Sequence, residues 1–350
     1  MQGDRRVDTV GGTPAGPFRL GVVGAGSLGF HHARIARDLP ETRFVGVHEA
    51  DPKRAREVGE ELGVRTFSTL EGLLDEVDAV IIATPTTTHR DVAVAALERG
   101  IHVFIEKPIA PSLEAADEIL DAAARGGALV QVGHVERFNT AVVGARPHLD
   151  QPLFIESHRL APFTERGTDV AVVLDLMIHD VDLVGSLVGR PVQEFQAAGA
   201  PVLTRSVDIA NARITYEGGA VANLTSSRVS LERLRKVRIF QRSGYLSLDL
   251  AAGTGEFLRL KRDLPALQPG PEAEAAMAGL LARDLSSIIE RIPLHAEPAE
   301  PLRREQDSFR EAAMGRIPPA VSGVEGRSAL EVALAIEARI LRHVADTRSS

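Results

Sequence analysis

The chain contains no cysteine and no tryptophan among its 350 residues, and aromatic residues make up only 4% of it. Without cysteine there are no disulfide bonds, no thiolate nucleophile and no cysteine-ligated metal. Because aromatic rings are few, we do not expect stacking platforms for single-stranded nucleic acid or for sugar rings. The side chains left for chemistry are chiefly histidine, lysine, aspartate and glutamate.

Long apolar runs are lacking as well. No stretch approaches the roughly 20 apolar residues of a membrane span, and the first residues, MQGDRRVDTVGGTPAGP, have no apolar signal core. We therefore expect a cytoplasmic protein without membrane attachment. The chain has 40 Lys and Arg residues against 48 Asp and Glu residues, a formal net charge of −8. This acidity disfavours nucleic acid as a partner.

The length predicts two domains, at about 150 residues for each. Residues 1–17 are rich in glycine, proline and charge, which predicts a loose, disordered tail. Over 18–140, apolar strand patterns such as FRLGVV and DAVIIAT alternate with helix patterns. This alternation is typical of an α/β domain with a doubly wound parallel sheet.

The pattern changes in residues 141–327, where strand signals such as FIESHRL and RKVRIFQ follow one another with one clear helix near Val172–Leu187. We predict a second, α+β domain with a mostly antiparallel, open sheet. The segment 251–300 favours neither helix nor strand. A last helix, within 328–350, is expected to pack back on the first domain.

A glycine cluster, GAGSLG, links the first predicted strand to the first predicted helix. In the G-x-G-x-x-G pattern, Gly24 permits a tight turn, Gly26 lets a pyrophosphate approach the backbone, and Gly29 lets helix and strand pack closely. The pyrophosphate would bind the helix N-terminus at Ser27 and Leu28. The context predicts a dinucleotide site, with a glycine-rich turn without ligand as the alternative.

Glu49 follows the second predicted strand, 20 residues after Gly29. A carboxylate at this place accepts hydrogen bonds from the ribose hydroxyls and repels a 2′-phosphate, which favours NAD over NADP. Arg54 and Arg56 could receive such a phosphate, but exposed positions on a helix explain these two residues better.

Two further groups of residues suggest acid–base chemistry. Lys107, in the sequence EKP, follows a predicted strand at the sheet edge where open α/β sheets bind ligands, although a surface lysine is the alternative. Asp175 and His179 are four residues apart on the predicted helix, with Asp182 at the next turn. A carboxylate beside an imidazole suits proton abstraction from an alcohol. A surface ion pair and a metal pair are the alternatives, and we predict no metal site.

From about Phe18 to Leu341, the chain resembles the Gfo/Idh/MocA oxidoreductase family. Five segments carry the resemblance in this order: GVVGAGSLG, ATPTTTH with Thr84, Pro85 and His89, EKP with Glu106 and Lys107, VGHVERFN, and DLMIHDVD. The resemblance implies a Rossmann domain that binds NAD, and an α/β domain with an open sheet often used for oligomerisation, as a homodimer or homotetramer.

The resemblance also implies roles for individual residues. It assigns Lys107 as the catalytic lysine and Asp175 with His179 as the paired catalytic groups. Thr84, Pro85 and His89 match the stretch that lines the cofactor cleft, and we add Glu106 and Lys107 to that set. The chain departs from many family members at Glu49, where they have Asp, and at His134 to Glu136, where they vary.

Within the family, the segments GHVERFN, IESHRLAPFTERGTDVAVVLDLMIHD and ANLTSSRVSLERLRK resemble the branch that oxidises the 3-hydroxyl of UDP-N-acetyl-hexosamines. A diphosphate substrate needs cations, and arginine binds phosphate in a bidentate manner. The candidate substrate-binding residues are His134, Arg137, Asn139, Arg159, Arg166 and His179. Salt bridges at the surface are the alternative for each arginine.

The hypothesis for the reaction is that His179, oriented by Asp175, takes the proton of a sugar hydroxyl while the hydride moves to nicotinamide. Lys107 would stabilise negative charge on the same oxygen, and the roles of His179 and Lys107 could be exchanged. Two alternatives stay open: a dehydrogenase or reductase of a free sugar or cyclitol, and a non-enzymatic regulator that senses NAD or sugar.

Overall fold

The computed structural model describes residues 17–164, 170–261 and 288–348. It divides into two compact units: the first comprises the chain up to His134 together with Leu302–Ser328, and the second comprises Val135–Pro301 together with the residues from Ala329 onward. Apart from Pro17, the expected tail 1–17 lies outside the described residues.

The first unit contains a six-stranded parallel sheet with strand order β3-β2-β1-β4-β5-β6. Its strands are β1 (Phe18–Val23), β2 (Thr42–His48), β3 (Thr66–Phe67), β4 (Ala79–Ile82), β5 (His102–Glu106) and β6 (Val130–Gly133). The helices that follow them are α1 (Ser27–Arg37), α2 (Pro52–Leu62), α3 (Leu70–Leu74), α4 (His89–Leu97) and α5 (Leu113–Gly126). The predicted doubly wound parallel sheet is confirmed.

The strand order of this sheet reverses direction at β1. After β1 the chain runs outward through β2 to β3, then returns to the other side of β1 for β4, β5 and β6. Ligands of open α/β sheets bind at the carboxyl ends of the strands beside such a switch point. The glycine cluster after β1 and the EKP sequence at the end of β5 therefore share one edge of the sheet.

The second unit contains an eight-stranded sheet with strand order β14-β13-β12-β11-β7-β10-β9-β8. Its strands are β7 (Phe154–Leu160), β8 (Val192–Ala200), β9 (Ile209–Tyr216), β10 (Val221–Ser227), β11 (Leu234–Gln241), β12 (Gly244–Asp249), β13 (Thr254–Leu260) and β14 (Ile289–Pro293). Neighbouring strands are antiparallel except β7 and β10, which are parallel. The predicted α+β class with a mostly antiparallel sheet is confirmed.

The remaining α-helices of the described residues are α6 (Thr140–Ala145), α7 (Ile178–Val188), α8 (Pro301–Ala313) and α9 (Gly323–Arg348). Within the segment 251–300, for which the sequence favoured no structure, the described residues form β13 and β14. Residues 262–287 lie outside the description. No described helix is long and apolar enough to cross a membrane.

The last helix, α9, differs from its expected position. Its first residues, up to Ser328, belong to the first unit, where Gly326 lies so close to Val132 that a side chain at Gly326 would collide with it. Most of the helix belongs to the second unit, however, and Ala333, Ile336 and Ile340 are buried in that unit's core. The helix was expected to pack on the first domain. This expectation is wrong, because the second unit covers the apolar stripe of the helix.

A buried carboxylate fixes the loop between β8 and β9. Asp208 is fully buried, accepts N–H groups from Val202, Leu203 and Thr204 at 2.7–2.8 Å, and pairs with Arg228 at 3.0 Å. Burial acts to raise the pKa of Asp208, but these hydrogen bonds outweigh it and hold the pKa well below its usual range. The ionised form is therefore the one that the fold requires.

We expect Asp208→Asn to lower the free energy of unfolding by about 3–5 kcal/mol, because it leaves Arg228 buried without its counter-ion. Urea denaturation measures this loss. Asp249→Asn is the matched control, since the Asp249 carboxylate also accepts two backbone N–H groups but in a more exposed turn. The interpretation is wrong if both variants change stability equally.

Candidate active site

The glycine-rich turn between β1 and α1 has the geometry expected from its sequence. Gly24 has φ +89°, and a Cβ atom there would lie 2.8 Å from the carbonyl oxygen of Ala83. A Cβ atom on Gly29 would collide with the carbonyl oxygen of Gly24. A Cβ atom on Gly26 would meet no described atom within 4 Å. Only Gly26 therefore faces open space, where an anion can approach the backbone.

The helix that follows offers N–H groups to such an anion. The first N–H groups of an α-helix have no partner within the helix. Within the part of the chain that the structure describes, no side chain caps α1 and no acidic residue lies in its first turn. Ser27 and Leu28 are exposed there. The turn and helix end fit a dinucleotide pyrophosphate.

Glu49 lies directly against the same turn. One carboxylate oxygen accepts the N–H group of Ala25 at 2.6 Å, and the other accepts the N–H group of Asp51 at 3.0 Å. A carboxylate has further acceptor capacity beyond one bond for each oxygen. Glu49 is thus held beside the glycine-rich turn, where the sequence analysis expected the ribose hydroxyls.

Arg54 is not the plain exposed residue that the sequence analysis favoured. Its Nε donates to the carbonyl oxygen of Ala25 at 2.8 Å, and its guanidinium group lies 5.9 Å from the ring centre of Phe30. Arg54 therefore stabilises the glycine-rich turn through the backbone of Ala25. Arg56 is exposed on α2, as expected.

Thr84, Pro85 and His89 form a linked segment after β4. The hydroxyl oxygen of Thr88 lies 2.9 Å from the hydroxyl oxygen of Thr84 and 2.8 Å from the carbonyl oxygen of Pro85. His89 is buried, with Nε2 3.0 Å from the Thr84 carbonyl oxygen and Nδ1 3.0 Å from the Pro108 carbonyl oxygen. His89 therefore ties the loop after β4 to the loop after β5.

Burial lowers the pKa of His89, although both neighbouring carbonyl groups act to raise it. Because the folded protein disfavours protonated His89, its contribution to stability is present above the unfolded pKa of about 6.5 and is lost as the pH falls below it.

The EKP sequence places Lys107 at the carboxyl end of β5, as predicted. Its N–H group donates to Glu106 Oε2 at 3.2 Å, and its peptide bond to Pro108 is cis. Glu106 Oε1 lies 2.7 Å from Nε2 of His32, a buried residue of α1. Nothing in the local sequence pattern around His32 indicates this partner, 74 residues away along the chain.

Asp175 and His179 lie on one continuous helical segment of the second unit, but the helix is not uniform. Asp175 belongs to a π-helical turn, Val173–Met177, whereas His179 belongs to the first turn of α7. Both residues are half-buried. The helix expected near Val172–Leu187 is therefore present, and it begins with a π-helical turn. π-Helical turns within α-helices are frequent at functional sites.

The next acidic residues of α7 form buried ion pairs. Arg159 of β7 bonds both carboxylate oxygens of Asp180 at 2.9 Å and Glu136 at 2.9 Å. Arg137 bonds both oxygens of Asp182 at 2.6 and 2.8 Å. Burial acts to lower the pKa of Arg159, but Asp180 and Glu136 raise it overall. These pairs fix the helix that carries His179.

The other candidate substrate residues have different positions. The side chain of Asn139 is buried, donating to Glu136 at 3.1 Å and to the carbonyl oxygen of Leu250 at 2.8 Å. His134 is also buried. Arg166 lies outside the described residues. Contacts of these residues and of the paired arginines with a substrate stay predictions.

A parallel sheet with this glycine-rich turn and an acidic residue after β2 is typical of dinucleotide-binding proteins. Residues 18–134 match the model of an oxidoreductase family with an NAD-binding Rossmann fold, and residues 131–247 match the GFO/IDH/MocA C-terminal domain. The chain belongs to the GFO/IDH/MocA family. The predictions of an oxidoreductase and of NAD as its cofactor are confirmed.

Two relatives show how far the similarity extends. The UDP-N-acetylglucosamine 3-dehydrogenase of Acidithiobacillus ferrooxidans is 36% identical over 93% of this chain and 99% of its own. A solved structure of that enzyme has a TM-score of 0.81 at 33% identity, covering 92% of this chain and 97% of the other. The scyllo-inositol 2-dehydrogenase (NAD(+)) of Bacillus subtilis is 31% identical over 61% of this chain and 68% of its own.

Substitution of two glycines in the glycine-rich turn, Gly26 and Gly29, tests the proposed pyrophosphate site, because one variant serves as the comparison for the other. We expect Gly26→Ala to weaken NAD binding at least about tenfold, because the added methyl group occupies the approach of the pyrophosphate. We expect its free energy of unfolding to stay within about 1 kcal/mol of the native value. Isothermal titration calorimetry and urea denaturation measure the two quantities.

Gly29→Ala is the matched variant in the same turn. Its methyl group would collide with the Gly24 carbonyl oxygen, so we expect a loss of about 1–3 kcal/mol in stability. Native NAD affinity in Gly26→Ala would contradict the assignment of the pyrophosphate site.

Proposed function

We propose that the protein oxidises the 3-hydroxyl group of a UDP-N-acetyl-hexosamine, with UDP-N-acetylglucosamine as the first candidate, and reduces NAD. The observation that carries the proposal is the similarity to the Acidithiobacillus ferrooxidans enzyme, which spans both units and nearly the whole of both chains. The inositol dehydrogenase similarity covers about two thirds of each chain. Oxidation of a free cyclitol or sugar is therefore the second candidate.

The residues around the glycine-rich turn hold the cofactor in this proposal. Gly24, Gly26 and Gly29 shape the turn, and the N–H groups of Ser27 and Leu28 bind the pyrophosphate. Glu49 accepts hydrogen bonds from the adenosine ribose and disfavours a 2′-phosphate. When bound, NAD supplies the hydride acceptor.

The acid–base steps are assigned to three residues. His179 takes the proton of the sugar hydroxyl group, and Asp175 fixes the tautomer of its imidazole. Lys107 donates a charged hydrogen bond to the oxygen as negative charge develops on it. The exchange of these roles between His179 and Lys107 is the alternative within the same proposal.

In this proposal, Arg137 and Arg159 have a structural role in place of the substrate-binding role that the sequence suggested. Because Arg137 and Arg159 bond buried carboxylates through several N–H groups, we infer that they mainly hold α7 and the 3₁₀ turn Val135–Phe138 in place. A diphosphate needs further donors, and Arg166 is the remaining arginine candidate from the sequence.

We also propose that the protein works in the cytoplasm as a homodimer or homotetramer. Analytical ultracentrifugation tests the oligomeric state.

A substrate panel tests the proposed function. The purified protein is incubated with NAD and with UDP-N-acetylglucosamine, other UDP-sugars, free sugars or inositols, and NADH absorbance is followed. We expect turnover with a UDP-N-acetyl-hexosamine, and mass spectrometry detects a 3-keto product even if NADH stays bound. Turnover with inositol alone would support the second candidate, and no turnover with any compound would support a regulator.

Variants test the assigned residues. We expect Lys107→Ala and His179→Ala each to lower turnover by at least about 10²–10⁴-fold, the contribution of a positioned acid or base. NAD affinity should stay near the native value. Lys53→Ala and His158→Ala are matched controls at exposed positions. Near-native turnover of both site variants would show that the assignment is wrong.

A further inference from the structure

A chain of buried polar groups runs from α8 through α1 to the EKP sequence within the first unit. His32 is fully buried on α1, and its two ring nitrogens have different partners. Nε2 lies 2.7 Å from Glu106 Oε1, and Nδ1 lies 2.9 Å from Nε2 of Gln306 on α8. Gln306 is also fully buried.

The backbone determines the direction of each hydrogen bond in this chain. Nε2 of Gln306 also lies 3.2 Å from the carbonyl oxygen of His32, which can only accept. The NH₂ end of the amide must therefore face His32, and Nδ1 must accept from it. A neutral imidazole then carries its proton on Nε2 and donates it to Glu106.

Glu106 transmits this arrangement to Lys107. While Oε1 accepts from His32, Oε2 accepts the backbone N–H group of Lys107 at 3.2 Å. The direction of that N–H group is part of the backbone geometry from which the lysine side chain departs. Phe104 packs edge to face against His32 and restricts its ring, and Phe309 packs edge to face against Phe104.

We propose that His32 and Gln306 are positioning residues that orient Glu106 and, through it, Lys107. This inference rests on the proposed catalytic role of Lys107. Removal of the His32 donor leaves a buried carboxylate oxygen without its hydrogen bond, and Glu106 must then reorient or draw in water. The N–H group of Lys107 loses its fixed acceptor as a result.

Paired substitutions of His32 test the proposal. His32→Leu removes the donor, and we expect turnover to fall about tenfold to a hundredfold because the lysine is misplaced. His32→Gln keeps an amide N–H group near the position of Nε2, and we expect it to recover most of the activity. NAD affinity should stay within about twofold of native in both, since the groups proposed to bind the pyrophosphate are backbone N–H groups at the start of α1 and the His32 side chain is not among them.

His31→Leu is the matched control, because His31 is the exposed neighbour of His32 on the same helix. We expect native turnover from it. Native turnover in His32→Leu would overturn the proposal, as would equal losses in His32→Leu and His32→Gln.

Two measurements do not depend on activity, so they separate this inference from the proposed function. Nitrogen NMR of histidine-labelled wild-type protein should show a proton on Nε2 of His32 and none on Nδ1. A proton on Nδ1 would overturn the proposal without any variant.

Amide hydrogen exchange is the second measurement. The Lys107 N–H group should exchange faster in His32→Leu than in wild type, and at the native rate in His31→Leu. Unchanged exchange in His32→Leu would overturn the proposal. If both measurements agree with the proposal but no sugar or nucleotide sugar is oxidised, the proposed function fails while the positioning chain stands.

Discussion

A carboxylate that leaves water needs hydrogen-bond donors around it, and this requirement fixes the segments that carry the candidate site. Glu49 holds the glycine-rich turn through the N–H group of Ala25. Glu106 links α1 to the first residue after β5. Asp180 and Asp182 attach α7 to arginines of the second unit. In each case at least one donor belongs to a segment more than 20 residues away in the sequence, so the carboxylate joins two distant segments.

The same constraint explains the arginines of the second unit. A guanidinium group also loses hydration on burial, and partners on several sides offset that loss. Arg159 has carboxylates of Asp180 and Glu136 around it, and Arg137 has Asp182. Buried carboxylates therefore already pair with Arg137 and Arg159, two of the arginines that the sequence suggested for binding a diphosphate. An acidic chain can still bind anions, because backbone N–H groups at α1 need no positive side chain.

Much of the fold was predictable because its signals are local. The apolar run of β4 and the strand–turn–helix around Gly24 to Gly29 each need only a few neighbouring residues. An NAD-binding domain was predictable for the same reason, whereas the contacts of individual residues with NAD stay predictions. Local patterns also pointed to the EKP lysine and the Asp175–His179 pair, the family resemblance assigned their catalytic roles, and these roles stay predictions.

What the sequence could not show depends on distant contacts. Gln306 lies 274 residues from His32 along the chain, and no local pattern connects them. Helix α9 is apolar enough to pack on either unit, so its sequence does not show which unit buries it. The structure places its apolar residues Ala333, Ile336 and Ile340 in the core of the second unit. The π-helical turn at Asp175 lies in a continuous helical segment, and the spacing of Asp175 and His179 does not distinguish a single π-helical turn from an α-helical one.

Deuterium at C3 of UDP-N-acetylglucosamine tests the proposed oxidation most directly. The labelled sugar is incubated with NAD and the protein, and both products are analysed by mass spectrometry. The proposed function predicts that the deuterium appears in the reduced nicotinamide cofactor and is absent from the keto sugar. Unlabelled reduced cofactor, or a keto sugar that retains deuterium at C3, would contradict it.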